Sequence, residues 1–153
     1  MPGGALFTRS GSIAREIDRC IGQASVSVDA ALYRMNHPAL AQALADAMKR
    51  GVRVRIVLDR GKFLENRMAR ELLLETALPY RLSCGRGRRE SKMHHKFALV
   101  DHRILLTGSY NWTLESEKEN YENLVILSDP ALVEAYTQEF ETLWSESSLA
   151  DPI

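Results

Sequence analysis

The chain has 153 residues, 45% apolar and 26% charged, which suits one soluble domain with a sizeable core. Its 20 Lys and Arg balance 20 Asp and Glu. No run approaches the ~18 apolar residues of a membrane-spanning helix, and the opening MPGGALFTRSGS lacks the basic and apolar blocks of a secretory leader, so a cytoplasmic protein is expected.

In chain order, a helix is predicted over about 12–22, with Ile13, Ile17, Cys20 and Ile21 on one face. ASVSVDAALY alternates β-branched residues and reads as a strand ending at Tyr33. NHPALAQALADAMKRG is a helix with Pro38 at its start, Leu40, Leu44 and Met48 four apart, and Gly51 closing it. VRVRIVLD is a strand whose Val52, Val54, Ile56 and Leu58 share a face. One helix is expected over about 62–77, then a short strand and a glycine-broken basic loop, LPYRLSCGRGRRESK. Strands follow at about 94–100, 104–107 and 122–127. Asp129 and Pro130 open a last helix with an apolar stripe of Leu132, Val133, Tyr136, Phe140, Leu143 and Trp144. Strands alternating with helices, then clustering, predict a layered α/β/α sandwich with a mixed central sheet and one domain over 1–153.

The zero net charge hides an asymmetry. Residues 49–103 carry fifteen basic and six acidic groups, and residues 104–153 carry one and ten. A basic face for an anionic partner would account for this, and so would helices that neutralise one another in space. Cys20 and Cys84 lie far apart without metal-like spacing and read as free thiols, a disulfide remaining open.

The stretch MHHKFALVDHRILLTGSYNW holds three of the four histidines. On a strand, His94 and Lys96 project together, whereas His95, Phe97 and Asp101 take the opposite face. This parity argues against a metal chelated by the His94–His95 pair, and no further ligand has suitable spacing. An imidazole beside an ammonium suits a phosphodiester: the ring attacks phosphorus and the cation holds the non-bridging oxygens. Gly108 permits close backbone approach to a ligand, and Ser109 and Asn111 offer phosphate donors on one side. Asp101 is expected to support the turn rather than touch substrate.

The set His94-x-Lys96-x4-Asp101-x6-Gly108-Ser109-x-Asn111 resembles the HKD signature of the phospholipase D superfamily, with every position filled. ENYENLVILSDP is similar to the family's downstream strand, which makes Glu122 the acidic group expected to orient His94. The flanking residues look closest to the branch with a single motif, which includes small bacterial nucleases and the mitochondrial cardiolipin hydrolase type. That resemblance implies a phosphohistidine intermediate and no cofactor or metal. It also implies a homodimer, because one imidazole cannot serve both as nucleophile and as acid to the leaving group.

For the substrate, Arg81, Arg86, Arg88, Arg89 and Lys92 precede the catalytic strand and could track a polyanionic backbone, with Arg60 and Lys62 joining them. Gly85 and Gly87 are expected to give that loop mobility. Aromatics are few there, so base stacking has little support and sequence specificity is not expected. The expectation is a low-specificity endonuclease acting on single-stranded DNA or RNA, and on duplex DNA if the groove is wide enough. The alternative is a hydrolase of anionic phospholipid such as cardiolipin. A nucleic-acid-binding scaffold without catalysis fits poorly with a complete motif.

Overall fold

The structure, a computed structural model, describes residues 3–87 and 90–149. Its centre is β2 (Ser27–Leu32), buried at every position. β2 lies parallel to β3 (Arg53–Asp59), which lies parallel to β4 (Tyr80–Ser83). On the other side β2 pairs antiparallel with β5 (Lys96–Val100), followed by β6 (Ile104–Gly108) and β7 (Asn123–Leu127). Two short strands, β1 (Gly4–Phe7) and β8 (Ser148–Leu149), complete an eight-stranded mixed sheet among the described residues, in the order β1-β7-β6-β5-β2-β3-β4-β8.

The two faces bury different helices. One packs on α1 (Ile13–Gly22), α2 (Pro38–Lys49) and α4 (Arg67–Thr76), with Ile17, Leu44 and Leu73 against Val28, Ile56 and Leu106. The other packs on α6 (Pro130–Glu146), with Val133 and Phe140 against Ala31, Val57, Phe97 and Leu105. Alternation along β3 explains the division: Val54, Ile56 and Leu58 face the first layer, and Val57 the second. This is the expected α/β/α sandwich.

Several elements differ from expectation. The helix expected over 62–77 is two, α3 (Arg60–Glu65) and α4. They are separated by Asn66, whose side-chain oxygen accepts from Ala69 N at 2.9 Å and caps the second. A five-residue helix, α5 (Leu114–Lys118), was not foreseen, and neither were β1 and β8. Arg81 is not a loop residue. It sits on β4, where its guanidinium lies 4.1 Å from the Trp144 ring centroid and donates to Trp144 O at 2.6 Å, tying α6 to the sheet.

Candidate active site

Strand register brings one end of the sheet together. Leu32 pairs with both Lys96 and Leu58, Asp59 with Ser83, Gly108 with Leu124, and Phe7 with Asn123. The residues just beyond these pairs therefore share one rim, and His94, Ser109 and Glu122 are among them.

His94 lies just before β5, on main chain held from both sides. The preceding residue, Met93, is buried, and its N–H donates to the carboxylate of buried Asp59 at 2.9 Å. The following residue, His95, accepts at its carbonyl from Tyr33 N at 2.8 Å. The exposed His94 side chain thus projects from a fixed backbone. Its ring packs against Tyr33, centroids 4.5 Å apart, and the Lys96 ammonium stands 3.3 Å from its Nδ1. His95 turns to the opposite face, where its ring nitrogen meets Glu139 at 3.0 Å and its ring meets Phe97 edge-on.

Burial, then the ammonium groups of Lys96 and Lys92, push His94 below its ordinary range, with Asp59 opposing. Lys96 is lowered by burial, with Glu122 opposing. The imidazole is thereby biased toward its neutral form, as a nucleophile requires.

Ser109 and Glu122 form a separate cluster. Ser109 Oγ donates to Glu122 Oε1 at 2.6 Å and accepts from Asn123 N at 3.0 Å. Glu122 Oε2 accepts from Ser116 Oγ and Asn120 Nδ2, both at 3.1 Å. Ser116 is presented by α5, whose first turn is capped by Thr113 Oγ1 and by Asn36 Oδ1 accepting from Leu114 N at 3.0 Å. Within one chain Glu122 therefore supports Ser109, and the expected contact with the His94 ring is not formed. Asn111 is half-buried, and its Oδ1 has no hydrogen-bond partner.

Asp101 lies at the opposite end of β5 from His94. Its carboxylate accepts from the backbone N–H groups of Ser25, Val26 and Ser27 at 2.7–3.1 Å, joining the β5–β6 turn to the start of β2. Burial alone would raise its pKa, but those N–H groups outweigh burial and hold it below the usual carboxylate range.

Gly108 has a reason inside the sheet. At φ +153° a Cβ would stand 2.4 Å from Asn123 O, so the missing side chain admits β7 rather than a ligand. Gly85 behaves likewise: a Cβ there would stand 2.5 Å from Lys92 O, so this glycine lets the two arms of the basic loop pass closely. Arg86 and Lys92 are exposed, and Arg88 and Arg89 lie outside the described residues. Lys62 joins the rim, its ammonium 5.8 Å from the Tyr33 ring centroid.

Tyr33, Asp59 and Ser116 were missed as site residues. Asp59, closing a strand before a helix, carried a legible cap signal and does cap α3, accepting from Lys62 N at 3.0 Å. Thr113 three residues before Ser116 was a comparable cap signal for α5. Nothing in the local pattern marked Tyr33.

Among the described residues, no group of three or more His, Cys, Asp or Glu is arranged to hold a metal ion. A cleft of about 720 Å3 opens at the far end of the sheet, between Cys20, Asp101, His102 and the first turns of α6, and includes none of the catalytic candidates. The candidate residues His94, Lys96, Ser109 and Glu122 lie instead along an open rim.

Residues 17–144 match the family model described as cardiolipin synthase, PLD-like domain. The chain belongs to the phospholipase D-like family. This phospholipase D-like chain is 37% identical to the mitochondrial cardiolipin hydrolase of Homo sapiens over 128 residues, covering 84% of the chain and 49% of that protein. It is 34% identical to a phospholipase D of Rickettsia felis over 126 residues, covering 82% and 59%. The chain thus spans about half the length of the curated relatives it matches. Nuc from Salmonella typhimurium, a phospholipase D family member, superposes with a TM-score of 0.86 at 26% identity, with 98% of each chain covered. NucT from Helicobacter pylori shares the fold, with a TM-score of 0.86 at 22% identity. No helix among the described residues is long and apolar enough to cross a membrane.

Proposed function

We propose that this phospholipase D-like chain is a metal-independent endonuclease that cleaves through a phosphohistidine, in a site shared by two copies. The observation that carries the reading is His94 itself: the single motif histidine, exposed at this rim on a pinned backbone, with the Lys96 ammonium 3.3 Å away and no carboxylate hydrogen-bonded to its ring among the described residues.

Neutral His94 of one copy attacks phosphorus as the bond to the leaving oxygen breaks, and protonated His94 of the other donates its proton to that oxygen. The second ring then takes a proton from a water whose oxygen attacks phosphorus, breaking the P–N bond and releasing the first His94. Lys96, Ser109 and Asn111 carry the charge that develops on the phosphoryl oxygens. An attacking Nε2 keeps its ring proton on Nδ1, which needs an acceptor, yet the neighbour of Nδ1 within one chain is an ammonium. A second copy would supply the missing carboxylate from its Glu122. That new bond would also free the Ser109 proton, now committed to Glu122 at 2.6 Å, to donate to phosphate.

Nucleic acid is favoured by the cations on the rim. Arg60, Lys62, Arg86 and Lys92 follow the ends of β3 and β4 or precede β5, where they can meet successive phosphates. Arg88 and Arg89 extend the same run in sequence. A second reading, hydrolysis of an anionic phospholipid, is favoured by relatives named cardiolipin hydrolases and by exposed Leu64, Met68 and Leu74 on α3 and α4. Against it, Glu65, Glu71 and Glu75 interrupt that apolar surface.

The deciding experiment incubates the chain in excess EDTA with labelled single-stranded DNA, duplex DNA, RNA and cardiolipin vesicles, beside a His94→Ala control. Cleavage of nucleic acid that is lost in the control is expected. Turnover of lipid alone would replace the first reading by the second, and activity restored only by added metal would remove the mechanism.

A further inference from the structure

Sequence reasoning found no aromatic surface beside the basic loop, but the fold supplies one on the other flank of the rim. Tyr121 is 80% exposed and immediately precedes Glu122, the residue that holds Ser109. The Arg9 guanidinium lies 4.4 Å from its ring centroid. Phe7, 53% exposed, closes the same edge, and a cleft of about 220 Å3 runs between Phe7, Thr8, Arg9, Tyr121, Glu122 and Asn123.

The support under this ring is unusual for an exposed side chain. Thr8 pins the backbone on both sides of Tyr121: its Oγ1 donates to Asn120 O at 2.7 Å and accepts from Glu122 N at 2.8 Å, and its N–H donates to Glu122 O at 3.1 Å. Residue 121 is thus fixed in space, and its side chain has only two torsions left to order on binding. An aromatic ring with a guanidinium over it offers stacking and a cation in one place, the combination that binds unpaired bases irrespective of sequence.

Charge points to a base rather than to a phosphate or an anionic lipid surface. Glu119 and Glu122 lie two residues before and one residue after Tyr121 in the chain, whereas the cations of the loop and α3 follow β3 and β4 or precede β5, further along the sheet. An uncharged aromatic base, whose amino groups can donate to carboxylates, suits this flank. The phosphates suit the other.

We propose that Tyr121, with Arg9 and Phe7, is a stacking platform for an unpaired nucleobase next to the scissile phosphate. The platform rests on the nucleic-acid reading and makes it specific: the substrate is a single strand, since paired bases are already stacked within the duplex.

The test uses the full chain in EDTA. The substrates are a single-stranded oligonucleotide, the same strand with an abasic residue placed in turn at each position around the cut, and the duplex. Tyr121→Ala is expected to raise KM for the intact strand roughly 5- to 100-fold, with kcat within about threefold, and Tyr121→Phe to restore it. On the strand abasic at the contacted position the penalty should shrink to about twofold or less. An unchanged KM, or an equal penalty on intact and abasic strands, would overturn the platform. So would sedimentation showing that Tyr121→Ala separates the copies, which would make this surface a contact between chains. Wild-type protein that cleaves lipid and no nucleic acid would overturn the underlying reading instead, a result visible before any variant is made.

Discussion

The Ser109 hydroxyl donates to the Glu122 carboxylate at 2.6 Å, so within one chain the acid serves the serine and leaves the His94 ring without a carboxylate hydrogen bond. Glu122 also takes hydrogen bonds from Ser116 and Asn120. An amide in its place keeps one acceptor but turns its NH2 group toward groups that donate. Glu122→Gln is therefore expected to lower kcat about 100- to 1,000-fold, in the range of lost transition-state donors. Melting temperature should change little, because the site is on the rim. A variant with full kcat would show that the Ser109–Glu122 pair is not part of the machinery.

His94 provides a pH test. Its folded-state pKa is lowered, by burial and then by Lys96 and Lys92, so its neutral form persists to more acidic pH than a free histidine allows. In wild type, NMR of the His94 ring should give a midpoint below about 6.5. Lys96→Met removes the nearest ammonium and should move the midpoint upward. The sign matters more than the size: an unchanged or lower midpoint in that variant would mean that the 3.3 Å contact does not govern the ring.

Asp101 separates fold from chemistry within the signature itself. Its pKa is lowered in the fold, so its stabilisation is present above the unfolded value near pH 4 and is lost as pH falls through the folded value. Asp101→Asn tolerates the left-handed backbone at φ 56° but loses the charge. Urea unfolding at pH 7 should show a loss of about 1–3 kcal/mol. The gap between wild type and variant should narrow as pH falls below the ordinary carboxylate range and through the lowered folded-state value. Below the melting transition, kcat should be nearly that of wild type. A collapse of kcat in a folded variant would place Asp101 at the substrate after all.

How much of this was legible in the sequence depended on how local the cause was. The alternation Val54, Ile56, Leu58 announced β3 and its buried face because one strand contains the whole pattern. Parity along 94–101 separated His94 from His95 and Asp101 before any coordinates, although β5 itself begins only at Lys96. Elements whose stability comes from distant partners were hidden. β1 is a short run that contains glycine, and it is ordered by pairing Gly4 with Ile126 and Phe7 with Asn123. α5 is five residues long, too short for periodicity to register. Glu122 was found, but its partners within the chain, Ser109 and Ser116, were not foreseen, since only the fold brings them to it. Tyr33 and Tyr121 were invisible for the same reason: an aromatic residue acquires a role from what the sheet end sets beside it.

Salt dependence tests the substrate side. Single-stranded binding by the rim cations should weaken steeply with salt, and Lys62→Ala or Lys92→Ala should each reduce the slope of log K against log [salt] by about 0.7. The losses should be similar across base sequences. A slope untouched by either change would mean that these lysines are solvated surface and that the phosphates run elsewhere.

The central claim, a phosphohistidine formed in a site that two copies share, is tested most directly by trapping the intermediate. The chain is mixed with excess single-stranded oligonucleotide in EDTA and quenched within the first turnover into alkali, where phosphohistidine survives. Peptide mass spectrometry then locates and counts the adduct. A nucleotide phosphate is expected on His94 at about one per two chains, because the second ring of each pair must keep its proton for the leaving group. An adduct on another residue, or on His94 in every chain, would contradict it.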